Sequence, residues 1–332
     1  MTDNGTSAGF SIDKNGKLVK GFNAGMKGKK ASAYEGGHRV PFVVHYPGGK
    51  GKKINALANY LDIMPTFLEM CGMKEALPKS AEGQSLIPLF KEDVESERYL
   101  FADTQRDEYL KKGRNSCVMY KKWRLVNNTE LYNIKEDPGQ EKNVAKDNPS
   151  LVIKMQNAYE LWWGGTVEPR ANRFEPIPVG SEEVPEVLLY APDLHYEKGG
   201  IPACHQNGVR TAYEDNIGFW AIDIKNTGKY RIAMYRWEPS LNVNIGDAAP
   251  EKQEEDWGSF RKLPAPVAIK DFKVSELYID DKLIEKKKVD NDRTCVEFTV
   301  ELNRGMHFVQ TDFIRASGKR TSAYYAMVKR IE

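Results

Sequence analysis

Three short stretches near the amino end hold residue types suited to metal and anion chemistry. Asp3-Asn4-Gly5 sets a carboxylate beside a carboxamide, two hard oxygen donors that suit Ca²⁺ or Mg²⁺. The same tripeptide is also an ordinary turn. Lys27, Lys29 and Lys30 follow, a cluster that by itself reads as a solvated loop. A lysine ammonium is a compact cation that binds an anionic oxygen and offsets charge growing on a leaving oxygen. The third stretch is Tyr34-Glu35-Gly36-Gly37-His38-Arg39. Its glycine pair permits close backbone approach in a tight loop, with Glu35 and Arg39 as braces. His38 either faces a substrate or is a loop histidine without a catalytic role. His45, in an apolar run, reads as a packed core histidine, and no second ligand stands at metal spacing beside His195, His205 or His307.

These residues need elements to place them. Residues 1–50 are rich in glycine and lysine and read as irregular loops around one hairpin, 12–19, whose turn is Asp13-Lys14-Asn15-Gly16. Residues 41–46 (PFVVHY) read as a short apolar strand. A helix is expected from Ala56 towards Leu61. Another should start at Pro65 and stop near Gly72, burying Phe67, Leu68 and Cys71. Residues 116–120, 123–126 and 130–132 are β-prone runs parted by Lys121-Lys122 and Asn127-Asn128, the pattern of a small antiparallel sheet. Residues 149–163 carry helical spacing of Leu151, Met155, Ala158, Leu161 and Trp162, and Trp162 and Trp163 read as packing residues.

Gly164-Gly165 and Pro169, Pro176, Pro178 and Pro185 mark a linker-like stretch. Beyond it the pattern is nearly all β, with hairpin signals at Asn226-Thr227-Gly228, Asp280-Asp281 and Asn303-Arg304-Gly305. The expected organisation is a first domain over 1–165, a linker over 166–188 and a β-sandwich over 189–332. Trp220, Trp237, Trp257 and Tyr235 are its candidates for stacking on sugar, with Trp220 and Tyr235 placed in strands and so read as core.

Composition narrows the function. The chain has 332 residues, 40% hydrophobic, with net charge +2, so no clustered nucleic-acid footprint is expected. No apolar run approaches the roughly 18 residues of a membrane span. Met1-Thr2-Asp3-Asn4 has neither the basic region nor the apolar core of a signal peptide. Cys71, Cys117, Cys204 and Cys295 include no CxxC pair, which argues against a zinc ribbon or a disulfide-built fold.

The order of motifs resembles the formylglycine-dependent sulfatases of the alkaline phosphatase superfamily over residues 1–165. It runs from Asp3-Asn4-Gly5 and Lys30 to Tyr34-Glu35-Gly36-Gly37-x-Arg39-x-Pro41. It continues through Tyr60-Leu61-Asp62-Ile63-Met64-Pro65-Thr66 and Gly83-Gln84-Ser85-Leu86, then Leu131-Tyr132-Asn133 and Asp137-Pro138. The fold implied is α/β, the carboxyl-terminal part of an alkaline-phosphatase-like sulfatase fold with a small antiparallel sheet, followed by the all-β domain. By resemblance, Asp3 and Asn4 match the metal pair, usually for calcium, and Lys30, four residues before Tyr34, matches the lysine that contacts the sulfate. Lys27 and Lys29 match less well and are read as solvated. The family's nucleophile is a formylglycine made from a Cys/Ser-x-Pro/Ala-x-Arg motif, and no cysteine or serine of the chain stands in that context.

The resemblance therefore implies one piece of a larger protein, whose formylglycine and further metal ligands lie in an amino-terminal half. That half is a possible partner, and this chain is expected to be inactive alone. The substrate implied is a sulfated small molecule or glycan, with the intact protein periplasmic or secreted. Two other readings stand beside it. One is a phosphodiesterase or phosphonate hydrolase of the same superfamily; the other is a non-catalytic carbohydrate-binding or scaffold protein.

Overall fold

The computed structural model describes residues 1–7, 11–15, 18–46, 49, 51–92, 95–105, 109–171, 173–196, 206–212, 214, 217–251 and 264–332. The chain divides into two compact units, Met1–Gln105 with Lys111–Ala171, and Arg106–Leu110 with Asn172–Glu332. No helix among the described residues is long and apolar enough to cross a membrane.

In the first unit, β1 (Ser11–Ile12) and β2 (Leu18–Lys20) form the expected hairpin. A single helical turn, α1 (Glu35–His38), follows. The helices α2 (Ile63–Met70) and α3 (Ile87–Lys91) precede an antiparallel sheet in chain order. Its strands are β3 (Tyr99–Asp103), β4 (Ser116–Tyr120), β5 (Trp123–Val126) and β6 (Glu130–Asn133). The tight turns fall where the sequence placed them, with Lys121, Asn127 and Asn128 at positive φ. α4 (Pro149–Trp162) packs on β4 and β5 through buried Met155 and Tyr159. Trp162 stacks on Phe101 at 4.8 Å and Trp163 is buried, so the aromatic pair serves packing.

Three local expectations fail here. Residues 41–46 form no strand, and Phe42, Val43 and Val44 are exposed, Val43 by 84%. His45 is exposed too, so it is no core histidine. An apolar run without alternation suits a strand covered on both faces, and no ladder partner flanks it among the described residues. The helix expected over 56–61 reduces to a 3₁₀ turn, Tyr60–Asp62. Ahead of it the chain is held by its backbone: Arg98 donates to the Leu57 carbonyl at 2.8 Å, and Asn59 caps the turn. On α2 the buried residues are Pro65 and Thr66, while Phe67 and Cys71 are exposed. The helix docks by polar bonds instead: the Thr66 hydroxyl donates to the Asp62 carbonyl (2.5 Å) and accepts the Leu86 N–H (2.9 Å).

The second unit is β-rich. β7 (Ile177–Val179), β8 (Glu186–Tyr190) and α5 (Gln206–Thr211) open it. They are followed by β9 (Phe219–Ile224), β10 (Gly228–Tyr235), β11 (Phe272–Ile279) and β12 (Lys282–Lys288). β13 (Cys295–Leu302), β14 (Gly305–Arg315), β15 (Arg320–Ser322) and β16 (Tyr325–Arg330) complete it. One sheet runs β13-β10-β16-β8; the other runs β12-β11-β14-β9-β7, with β15 also on β14. Both sheets bury side chains in one apolar core, with Trp220, Phe272, Leu277 and Phe313 from one and Ile232, Phe298, Val328 and Leu189 from the other. Two segments of the proline-rich stretch are strands: β7 pairs parallel with β9 at the sheet margin, where Pro178 leaves no central ladder position empty.

Of the sugar-stacking candidates, Trp220 is fully buried and donates its indole N–H to the Tyr190 carbonyl. Trp237, also buried, lies 4.6 Å from the Arg236 guanidinium, which corrects its reading as a platform. Tyr235 lies on β10 and is half-buried, while Trp257 and His205 lie outside the described residues.

Candidate active site

The Asp3-Asn4-Gly5 loop, the lysine loop and α1 meet through their backbones. Gly5 N–H donates to the Gly37 carbonyl at 3.0 Å, Lys30 N–H to the Thr6 carbonyl at 3.1 Å, and Gly36 N–H to the Lys27 carbonyl at 2.8 Å. Side chains would prevent this approach. A Cβ on Gly5 would overlap the Gly36 carbonyl, one on Gly36 the Gly28 carbonyl, and one on Gly37 the Ser32 carbonyl. The three glycines are therefore what let three loops close on one another.

Asp3 and Asn4 sit at the edge of this junction, the Asn4 amide donating to the Asp3 carboxylate. Their two oxygens have the hardness calcium prefers, but calcium takes about 6–8 oxygen ligands. Among the described residues no group of three or more His, Cys, Asp or Glu side chains is placed to hold a metal. The pair fits as part of a calcium shell and not as a whole one. Lys30 is exposed, with its backbone fixed by the bond to Thr6. His38 turns inward: its Nε2 is enclosed and finds no hydrogen-bond partner among the described residues. Burial drives its pKa down, with Arg124 and Arg39 reinforcing and Glu35 opposing, so the ring stays neutral.

Under the junction lies an ionic brace of which the sequence disclosed Glu35 and Arg39, but not Arg124 or Gln140. Glu35 is 1% exposed; its carboxylate accepts from Arg124 Nε at 2.6 Å and Arg39 at 3.2 Å, and its N–H donates to Gln140 at 2.8 Å. Burial pushes the Glu35 carboxyl up, but Arg124, by its charge and its hydrogen bond, and Arg39 together hold the group below the ordinary range. Arg124 is on β5 and Gln140 follows the Asp137-Pro138 turn, so the last motif of the sequence props the first. A second missed feature is Lys27, whose ammonium lies 4.2 Å from the Tyr34 ring centroid and 5.3 Å from that of Tyr132. It is therefore no solvated lysine. Both tyrosine hydroxyls donate to Glu130, and burial pushes the Tyr34 phenol up to about 12.

The Tyr60–Thr66 and Gly83–Leu86 motifs have an architectural use. Buried Asp62 takes a two-pronged bond from Arg98 (2.7 and 2.6 Å) and the N–H groups of Asn59 (2.7 Å) and Gln84 (2.9 Å). Gly83 passes so close to the Leu61 carbonyl that a Cβ would overlap it. Cys117, fully buried on β4, has its thiol pushed up to about 12 by burial and is chemically quiet.

The Tyr-Glu-Gly-Gly turn and the small sheet that braces it fall within the stretch that known proteins match. Residues 27–162 match the family model described as N-sulphoglucosamine sulphohydrolase, C-terminal. The N-acetylgalactosamine-6-O-sulfatase of Bacteroides thetaiotaomicron is 29% identical over 150 residues, 40% of this chain and 29% of that protein. The Delta 4,5-hexuronate-2-O-sulfatase of the same organism is 32% identical over 133 residues, 37% of this chain and 27% of that protein. The solved structure of Ps i-CgsB is 26% identical, with a TM-score of 0.39, and the match covers 44% of this chain and 33% of that one. Residues 27–162 are thus similar to the carboxyl-terminal part of sulfatases of the alkaline phosphatase-like superfamily. The matched region spans about a third or less of each of these relatives.

Proposed function

We propose that the first unit forms one wall of a sulfatase active site and that the substrate is a sulfated carbohydrate. The observation that supports this is the backbone junction of Gly5 with Gly37 and of Lys30 with Thr6, which joins the loops that carry the carboxylate-amide pair and the lysine. Asp3 and Asn4 would hold part of a calcium ion, which when bound withdraws charge from the sulfate oxygens. Lys30 would bind a sulfate oxygen and offset charge on the departing sugar oxygen. Glu35, Arg124 and Gln140 keep the rim rigid, and His38 stays a neutral part of the support. The sugar preference follows the carbohydrate sulfatases among the relatives.

Since no residue of the chain stands in the formylglycine context, the reading assigns the wall to this chain and the nucleophile elsewhere. Titrating the purified chain with a monosulfated sugar tests it. Lys30→Gln is expected to weaken binding about tenfold, as loss of one charge-assisted contact does, and unchanged binding would remove Lys30 from the site. Turnover of a chromogenic aryl sulfate by the 332-residue chain would overturn the division of labour.

A further inference from the structure

Beside the rim, residues 12–15 and the 27–34 loop border an open cavity of about 470 Å³. That lies within the roughly 300–1,000 Å³ typical of ligand clefts. Ile12, Lys14, Asn15, Lys27, Ser32 and Tyr34 line it. Asp13 also faces it, but its carboxylate is engaged in its own turn, accepting the Asn15 N–H at 2.9 Å.

Lys27 gives the cavity its character. Its ammonium is fixed over two tyrosine rings and donates one hydrogen bond, to the Tyr132 hydroxyl at 3.4 Å. The Glu130 carboxylate accepts from the hydroxyls of Tyr34 and Tyr132, so its charge reaches Lys27 only through the Tyr132 hydroxyl. Lys27 forms no ion pair among the described residues, although its stem is half-buried and its position constrained. A cation held in place by aromatic faces, lining a cavity and without a direct ion pair among the described residues, has room for a further anion. Lys14 adds a second positive charge from the hairpin, Ser32 and Asn15 add polar groups, and Ile12 adds apolar surface.

We infer that this cavity is a subsite for a second anionic substituent of the glycan, a further sulfate or a uronate carboxylate, and that Lys27 selects it. The inference rests on the reading that Lys30, three residues along the same loop, contacts the sulfate to be removed. It makes the preferred substrate a multiply anionic saccharide.

Calorimetric titration of the 332-residue chain separates the two claims. The probes are a monosulfated monosaccharide, the same sugar joined to a uronate, and the same sugar joined to a second sulfated residue. The wild-type chain is expected to bind at least one dianionic probe about tenfold more tightly than the monoanionic one, the gain typical of one charge-assisted hydrogen bond. Whichever dianionic probe shows the gain identifies the anion. Lys27→Met should erase the gain and leave the monosulfated sugar unaffected, while Lys27→Arg, which keeps the charge over the rings, should retain it. A thermal melt of Lys27→Met close to wild type confirms folding. Equal wild-type affinity for all three probes, no detectable binding of either dianionic probe, or equal weakening of all probes by Lys27→Met would overturn the proposal. Lys30→Gln without effect on any probe would sink the Lys30 reading alone and leave a Lys27-dependent preference standing.

Discussion

The two units hold themselves together by different means. In the second, two hydrogen-bonded sheets bury one large apolar core. In the first, long irregular stretches are fixed by point attachments: Glu35 to Arg124, Asp62 to Arg98, and glycines at backbone crossings. The apolar cluster beside the first unit's site is small, with Leu100, Cys117, Met119, Val126 and Tyr132 among its members. Several large apolar side chains of that unit, among them Phe22, Val43, Tyr60 and Phe67, are exposed instead. A core tolerates graded change because many contacts share the load. A set of pins does not, since each pin lost leaves a buried partner uncompensated.

The contrast can be broken by substitution. Glu35→Gln strands the buried Arg124 charge and should cost the first unit about 3–5 kcal/mol, read as lost amide protection there while the second unit keeps its own. Phe298→Ala, in the second core, should cost about 3–5 kcal/mol by cavity formation, with the reverse pattern of protection. Gly36→Ala forces apart the junction of the lysine loop with α1 and should cost about 1–3 kcal/mol, with sulfated-sugar binding lost more steeply than stability.

Acid should act in opposite directions on three buried groups, two in the first unit and one in the second. In the first unit, the Glu35 carboxyl lies below its ordinary value, so its stabilisation is complete above that value and is lost as pH falls through the folded one. His38, a base lowered by burial, acts in the same sense: the unfolded chain takes up its proton first, from about pH 6.5 downward. In the second unit, burial raises Asp312 to about 6 despite Gln310 and Arg320, with Glu276 adding to the rise. Its contribution is therefore fully present below the ordinary value of 3.8 and is lost as pH rises through about 6. Hydrogen exchange between pH 7 and 4 should show this group stabilising the second unit and the other two weakening the first. Asp312→Asn should flatten that trend in the second unit. The smallest effect belongs to Val43→Lys, which changes an exposed position and should leave stability within about 0.5 kcal/mol; a larger loss would mean that the 41–46 segment is packed after all.

Legibility in the sequence follows the same division. Strands of the second unit were readable because alternation and turn pairs such as Asp280-Asp281, both at positive φ, are local signals. Prolines hid β7 and β8, because a marginal strand tolerates what a central one does not. In the first unit the motif residues and the local Glu35–Arg39 brace were readable, yet the distant braces were not. Glu35 and Arg124 stand 89 positions apart and Glu35 and Gln140 stand 105 apart, so only the fold pairs them. PFVVHY misled because hydrophobicity reports what a segment can cover, not whether a neighbour is there.

The bonds that meet at Asp62 have a further consequence. Its carboxylate ties Asn59 and Gln84 to one point, and Gly83 lies against Leu61, so residues 63–83 leave and return at the same place. Such an excursion is closed like a parenthesis. Its contents can lengthen, shorten or be replaced without shifting Arg98 or the strand that follows, provided Asp62 and Gly83 remain. Among homologues, insertions and deletions should therefore gather between residues 71 and 82 and spare the two residues that shut the loop.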